Sequence, residues 1–313
     1  MNLTGDSAKD CAFQNCTELT NISIPNVTSI GIFAFYKCTS LTSINIPSSV
    51  ATIGVSAFSN CTSLTSIDIP SGVTSIGGGA FSHCTSLSDI NIPSGVTSID
   101  GGTFKVCTSL LSINIPASVT SIGKQAFYGC TSLSSVTLPS SLKTIGKWAF
   151  QDCTSLKSIN IPAGVNSIDN AAFKGCTSLS SINIPSSVTS IGQYAFDGTA
   201  LTKTAQGTTL TANTISLETN TNITNLDWLP STINTIGDKS FANWTKLSTA
   251  TIPSSVTSIS AGAFRGCSAL KSMTLPFVGG TPTDANTFGY IFGTGSYSGG
   301  TQTYQLKIIF AKS

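Results

Sequence analysis

The feature that most restricts the fold is a 23-residue phrase that the chain repeats nearly unchanged. CTSLTSINIPSSV begins at Cys38, CTSLTSIDIPSGV at Cys61 and CTSLSDINIPSGV at Cys84. A phenylalanine keeps the same 23-residue step over Phe35–Phe196. One such unit cannot bury its own apolar side, whereas stacked copies can. The sequence therefore predicts a repeat solenoid in which each unit forms one coil.

Within a unit the apolar positions are nearly constant, and they predict the local structure. The L-x-x-I-x-I segment alternates inward and outward as a short strand does, and a proline closes it. The V-x-x-I-G segment predicts a second extended or turn segment, and G-x-x-A-F predicts a helical or 3₁₀ turn. The predicted core columns contain Phe58, Phe81, Phe104, Phe127, Phe150 and Phe173, and Cys61, Cys84, Cys107, Cys130, Cys153 and Cys176.

The full pattern L-x-x-I-x-I-P-x-x-V-x-x-I-G-x-x-A-F-x-x-C resembles the BspA-like class of leucine-rich repeats. The resemblance covers roughly residues 8–278 and is weak at 199–222. It implies a right-handed solenoid with short parallel β-strands on the concave face. Turns, short helices or 3₁₀ turns would form the convex side. Proteins of this class occur on the surfaces of bacteria and some protists, so the resemblance also implies an extracellular or cell-surface location.

The chain divides into two predicted parts. Residues 1–278 are predicted to form the leucine-rich-repeat solenoid, with about 11–12 units and a degenerate unit near 199–222. Residues 279–313 are rich in Gly, Thr and Tyr and end in a strand-like YQLKIIF. Because a terminal repeat needs a cover, we expect a cap there, with the start of another module as the alternative.

Composition excludes several classes of function. Charged residues are 9% of the chain and the net charge is +2, with no cluster of cations for nucleic-acid binding. No apolar run approaches the roughly 18 residues of a membrane span. The first residues, MNLTGDSAKD, contain no secretory signal peptide. We therefore expect either an intracellular protein or a chain whose leader is missing.

The cysteines are predicted to be buried thiols. Most of the ten recur once per coil and would face inward as small apolar fillers. Adjacent coils are close enough for disulfides, but side chains stacked in register point in parallel. Cys11 departs from the pattern and is expected to be exposed or bridged. No spacing is typical of zinc sites, and we expect no metal and no cofactor.

Few residues offer chemistry. His83, beside Cys84, is the one histidine, and the chain has two glutamates, so we expect no catalytic set and no enzyme. Asp68 and Asp89 lie diagonally on neighbouring predicted strands and are candidate calcium or ligand contacts, with chance polar variation as the alternative. Rows of serine and asparagine follow the same face. Asn91 and Asn114 are candidate ligand contacts, although such rows also bond along a stack.

The repeat units differ from one another mostly at two places, namely the positions that follow I-G and the positions that follow the recurring Phe. We call these positions slots. Trp148 and Tyr194 occupy such slots and are candidate aromatic anchors for recognition, with unconstrained drift as the alternative. The Thr-Ser pair after each cysteine is a candidate ice-binding array at strand spacing.

Two functions from different classes follow. The first is a non-enzymatic cell-surface binding or adhesion module for a host matrix protein, a glycan or another cell. The second is a structural spacer or self-assembling element, favoured by near-identical coils and an uncharged surface. Ice binding is a distant third.

Overall fold

The computed structural model describes residues 11–276, except 186, 189, 193, 197, 201–224, 227–234, 238–239 and 243, together with 307–310. The chain forms a solenoid of short parallel β-strands. No helix occurs in these ranges, and none could therefore cross a membrane there.

The S-I-N segment of each coil forms the first sheet ladder. The described strands of this ladder are β3 (Ser66–Ile67), β5 (Asp89–Ile90), β7 (Ser112–Asn114), β9 (Ser135–Thr137), β11 (Ser158–Asn160), β13 (Ser181–Asn183), β16 (Thr249–Thr251) and β18 (Ser272–Leu275). Strands β3 and β5, β7 and β9, β11 and β13, and β16 and β18 pair in parallel between consecutive coils, 23 residues apart, as Ser158 pairs with Ser181.

The S-I-G segment forms a second sheet ladder, so the predicted extended or turn segment is a strand. Its register is also 23 residues, as in the pairing of Ile122 with Ile145. The described strands are β1 (Ser29–Ile30), β2 (Thr52–Ile53), β4 (Ser75–Ile76), β6 (Ser98–Ile99), β8 (Ser121–Ile122), β10 (Thr144–Ile145), β12 (Ser167–Ile168), β14 (Ser190–Ile191), β15 (Thr235–Ile236) and β17 (Ser258–Ile259).

The third side of each coil, which we call the turn face, contains the G-x-x-A-F-x-x-C segment. It consists of consecutive turns, and the predicted short helix is not present in its described residues. Its phenylalanines are fully buried over Phe35–Phe196. Consecutive ring centroids lie 5.1–5.7 Å apart with ring planes within 13° of parallel. The interior is therefore a continuous stack of offset rings.

The cysteines form a second buried column beside the rings. The Cys61 thiol donates to the Phe35 carbonyl oxygen of the preceding coil, 3.1 Å away. The same bond to a phenylalanine carbonyl recurs in seven further coils, from Cys38 to Cys267, with a separation of 26 residues in all but Cys38, where it is 25. The sequence alone predicts only that the cysteine at this position fills space as a small apolar side chain. The thiol also donates a weak hydrogen bond between coils, which an aliphatic side chain cannot do.

The recurring hydroxyl residues bond in the same direction. The Thr62 hydroxyl donates to the Thr39 carbonyl, and the Thr85 hydroxyl donates to the Thr62 carbonyl. The Ser141 hydroxyl donates to the Val119 carbonyl at 2.7 Å. These polar residues therefore tie each coil to the one before it, which explains why a phrase with little chemistry recurs so faithfully.

Of the predicted C-terminal part, residues 279–306 and 311–313 lie outside the described residues. Lys307–Phe310 forms β19, which pairs in parallel with β18 and extends the first ladder by one strand. The choice between a cap and another module stays a prediction. So does the count of 11–12 units, since it falls partly on residues outside the described ranges.

Candidate functional site

Two positions in each turn face adopt a left-handed backbone. The first, two residues after the second-ladder isoleucine–glycine pair, includes Phe33, Gln125, Trp148, Ala171 and Tyr194, with φ between 52° and 61°. The second, just before the cysteine, includes Lys37, Asn60, His83, Val106 and Asp152, with φ between 59° and 63°. Side chains other than glycine adopt this region at a cost of roughly 1–2 kcal/mol.

The inter-coil hydrogen bonds explain why the backbone adopts this geometry. At the first position the Trp148 N–H donates to the Asn170 carbonyl of the next coil at 2.9 Å. At the second, the Val106 N–H donates to the Tyr128 carbonyl at 2.6 Å. Because the backbone makes these bonds, the side chain at either position can change without breaking them.

A pocket of about 330 Å³ opens on the turn face, where the column of side chains at the first left-handed position runs beside a second column. The first column supplies large, small and large side chains in three consecutive coils, namely Trp148, Ala171 and Tyr194. The second column lies three residues further along each coil. The complete lining is Gln125, Trp148, Ala171 and Tyr194 from the first column, and Tyr128, Gln151 and Lys174 from the second.

Lysine ammonium groups lie near the aromatic rings of this pocket. The Nζ atoms of Lys147 and Lys124 are 4.2 Å and 5.0 Å from the centre of the Trp148 ring. The Nζ atom of Lys174 is 5.0 Å from the centre of the Tyr194 ring. These distances are typical of cation–π contacts. The surroundings of the pocket therefore combine aromatic faces with positive charge.

The polar lining is supplied by amides. Gln125 and Gln151 carry groups that both donate and accept hydrogen bonds. The Gln151 Nε2 donates to the Asp152 carboxylate at 3.2 Å, which fixes one side of that amide. No carboxylate lines the pocket itself. Such a lining suits a polar ligand that has an apolar face and a negative group.

The predicted site residues fall on two different surfaces. Trp148 and Tyr194 lie together on the turn face, as described. The four others are exposed on the first ladder, where Asp68 pairs with Asn45 and Asp89 pairs with Ser66. The structure therefore does not bring the two carboxylates near the aromatic pair.

Nothing in the described ranges resembles a metal centre. No group of three or more His, Cys, Asp or Glu side chains occurs in this part of the chain. On the first ladder the Asn183 Nδ2 donates to the Asn160 Oδ1 at 2.7 Å, so that part of the asparagine row bonds along the stack. Asn91 and Asn114 belong to the same row and remain candidate contacts, as Asp68 and Asp89 do.

The thiols have the chemistry of interior groups. All ten cysteines lie in the described part of the chain and none forms a disulfide. Burial raises the pKa of the Cys84 and Cys130 thiols from 9.0 to about 12. Cys11 and Cys16 are half-buried. A neutral, buried thiol is a poor nucleophile and a poor metal ligand.

His83 does not form a nucleophile–base pair with Cys84. The Nδ1 atom of His83 lies 2.8 Å from the Ser82 hydroxyl, while the Cys84 thiol donates inward to the Phe58 carbonyl. Burial, and then the Lys105 charge, lowers the pKa of His83 below 6.5. The imidazole is thus neutral at pH 7 and faces a different neighbour.

Sequence reasoning missed most of the pocket. Tyr128, Gln151 and Lys174 occupy variable slots, but nothing singled them out when each unit was considered alone. These pocket residues can be found from the 23-residue register between neighbouring coils. Residues 23 apart lie side by side, so a small residue between two large ones in one slot predicts a gap on the surface.

Comparisons with known proteins support the fold. The family model described as "BspA type Leucine rich repeat region" matches residues 6–118, 97–218 and 213–290, in six copies. A leucine-rich repeat protein from Bacteroides ovatus ATCC 8483 is 30% identical over 85% of this chain and 75% of its own, with a TM-score of 0.68. One from Eubacterium ventriosum ATCC 27560 is 25% identical over 88% and 85%, with a TM-score of 0.56.

A leucine-rich cell surface protein from Faecalibacterium prausnitzii A2-165 is 29% identical over 94% of this chain and 80% of its own. Its TM-score is 0.41, so this likeness supports no conclusion about the chain. No curated protein matches the chain.

Proposed function

The chain belongs to the BspA-type leucine-rich-repeat family, and from that membership we propose that it is a non-enzymatic binding or adhesion module of a cell surface. Fold alone does not specify function, so the proposal depends on the surface. The observation that carries it is the aromatic pocket between Trp148 and Tyr194 on the turn face. A pocket of this size lies at the low end of the roughly 300–1,000 Å³ of ligand sites.

The mechanism is binding to a rigid, repetitive surface. The coils are joined by backbone, thiol and hydroxyl bonds on all sides, so a ligand meets a preformed site and orders little of the protein on binding. Weak contacts at one pocket gain strength when many copies of the module face many copies of the ligand. A host matrix protein, a glycan or another cell offers such a multivalent partner.

The proposal that the chain is not an enzyme is supported by what its reactive groups do. The buried thiols each donate to a backbone carbonyl, and burial raises the pKa of Cys84 and Cys130 to about 12. His83 lies 2.8 Å from the Ser82 hydroxyl, which is buried, and the Cys84 thiol donates instead to the Phe58 carbonyl. Covalent catalysis needs a nucleophile that is activated by a base and accessible to a substrate.

The surface location is proposed from the family, whose members include surface proteins of bacteria and some protists. An oxidising environment threatens exposed thiols, because the thiolate is the species that reacts. Eight of the ten cysteines are buried. Their protonated state and burial protect them, so a thiol-rich interior is compatible with an extracellular position.

The test is capture by immobilised protein. We expect the full-length chain, coupled to a sensor surface, to retain matrix proteins or arrayed glycans above the level of an uncoupled surface. Light scattering after size exclusion is measured on the same preparation. Discrete monomers with capture support the binding module. Filaments without capture contradict it and favour the structural spacer.

A further inference from the structure

We infer that the pocket between Trp148 and Tyr194 binds a saccharide ring that carries a carboxylate or sulfate group. The inference rests on the proposed binding function and specifies its ligand. Three independent properties of the pocket carry it: the width of the gap, the charge around it and the chemistry of its polar lining.

The width of the gap is set by the spacing between coils. Trp148 and Tyr194 occupy the same slot two coils apart, and parallel strands are about 4.8 Å apart, so the two positions are separated by about 10 Å. The buried Ala171 lies between them and forms the floor. A ring inserted between two aromatic side chains needs two van der Waals separations of roughly 3.5–4 Å each. One flat ring therefore fits this gap.

The charge around the pocket is positive. Lys124, Lys147 and Lys174 place their ammonium groups within about 5 Å of the two aromatic ring centres. The nearest carboxylate in sequence, Asp152, is bonded to the Gln151 amide and does not line the pocket. A ligand with a negative group gains charge-assisted hydrogen bonds here, whereas a cationic ligand is repelled.

The lining distinguishes a sugar from other anions. The C–H bonds on one face of a saccharide ring are apolar with slightly positive hydrogens, which match the negative face of an aromatic ring. Its hydroxyl groups match the amides of Gln125 and Gln151, since both partners donate and accept. Inorganic anions lack the apolar face, and an acidic peptide lacks a rigid ring with hydroxyls on its rim.

The repeat itself supplies variants that retain the fold. Ala171 occupies the slot of Trp148 with a similar backbone angle, so Trp148→Ala is expected to fold. Tyr194 occupies the same slot as Ala171, so Ala171→Tyr is expected to fold and to fill the gap. Tyr36→Ala is the matched control, because Tyr36 lies in the second column beside a lysine but does not line the pocket.

The experiment is calorimetric titration of the full-length protein with four probes: trigalacturonate, a heparin tetrasaccharide, neutral cellotriose and hexaglutamate. We expect at least one of the two anionic saccharides to bind about tenfold more tightly than cellotriose. Trp148→Ala and Ala171→Tyr should each weaken that binding about tenfold, as expected for one lost ring stack. Tyr36→Ala should change it less than twofold.

The outcomes separate the alternatives. Binding of trigalacturonate alone identifies a carboxylate ligand, binding of the heparin fragment alone identifies a sulfate ligand, and binding of both supports the shared chemistry. Equal binding of cellotriose overturns the charge requirement. Equal binding of hexaglutamate, or equal losses in Tyr36→Ala, overturns the saccharide site. If no probe binds while the immobilised protein still captures matrix proteins, the pocket inference fails and the proposed function stands.

Discussion

A close contact between coils occurs at Gly77, which follows the second-ladder isoleucine Ile76, and it makes a sharp prediction. A Cβ atom added at Gly77 would lie 2.5 Å from the Val55 backbone nitrogen and 2.7 Å from the Gly54 carbonyl carbon. Ordinary contact begins at 3.4 Å, so the two coils would have to separate locally by about 0.9 Å, given the close packing of protein interiors. A backbone atom cannot rotate away as a side chain can.

The magnitude follows from the hydrogen bonds that this separation breaks. The Gly77 N–H donates to the Ile53 carbonyl at 2.8 Å, and the Ser56 N–H donates to the Gly78 carbonyl at 3.0 Å. Lengthened by about 0.9 Å, neither is still a hydrogen bond. Each loss costs about 1–1.5 kcal/mol, and the lower entropy of unfolded alanine offsets about 0.5 kcal/mol. We therefore expect Gly77→Ala to lower the free energy of unfolding by about 1.5–2.5 kcal/mol.

The assay is urea unfolding followed by far-ultraviolet circular dichroism, with Gly72→Ala as the control. A Cβ at Gly72 meets its nearest atom, the Ser48 carbonyl oxygen, at 3.4 Å, so this variant should match the wild type within about 0.5 kcal/mol. Because solenoid stability is a sum over neighbouring coils, Gly77→Ala is also expected to separate the transition into two steps. Equal midpoints for the two variants would refute the close approach of the coils.

Three further predictions use the interior and the left-handed positions. Val106→Gly should raise the free energy of unfolding by about 0.5–1 kcal/mol in the same urea assay, because the left-handed strain exceeds the entropy cost of glycine; a decrease would contradict this. Phe104→Ala should lower it by about 3–5 kcal/mol, and a loss below about 1 kcal/mol would contradict a packed ring column. Since burial raises the pKa of Cys84 and Cys130 from 9.0 to about 12, the unfolded chain releases these protons first. Stability should therefore be retained below pH 9 and fall as the pH rises towards 12, by up to about 1.4 kcal/mol per pH unit per thiol, and a urea midpoint independent of pH in this window would contradict buried thiols.

The 23-residue period of the sequence predicted which residues form the core, because burial follows directly from that period. A residue that recurs every 23 positions lies at the same place in every coil, and an apolar residue there must face the core of the stack. The stacked rings and the buried cysteines follow from this argument alone. The second sheet ladder was not clearly predicted, since a strand of two residues has too few positions to show alternation.

The left-handed positions could not be predicted from residue types. Asn60 and several glycines are typical occupants, but Phe33, Gln125 and Val106 are not, and a β-branched residue is an outlier there. Their conformation is imposed by the bond from their N–H to the next coil, which is a long-range contact. Local preference is weak evidence when a neighbouring coil determines the backbone.

Of the seven residues that line the pocket, the sequence singles out two as candidate contacts. Trp148 and Tyr194 were identified as aromatic anchors because their types stand out among small residues, whereas Gln151 and Lys174 are ordinary surface residues in isolation. They become a site through the register, which places residues 128, 151 and 174 side by side. The carboxylates Asp68 and Asp89 are predicted as a diagonal pair on neighbouring strands of the first ladder, and they lie on another side of the coil from the pocket.

These observations together indicate where a chain of this kind can acquire specificity. The recurring threonines, serines and cysteines are engaged in bonds to the preceding coil, as Thr62, Ser141 and Cys61 illustrate, so changing them weakens the stack. At the left-handed positions the backbone makes the inter-coil bond and the side chain is left for recognition. The order of side chains down one slot is therefore the order of contacts along the surface, and a gap such as Ala171 between Trp148 and Tyr194 forms a site without any change in fold.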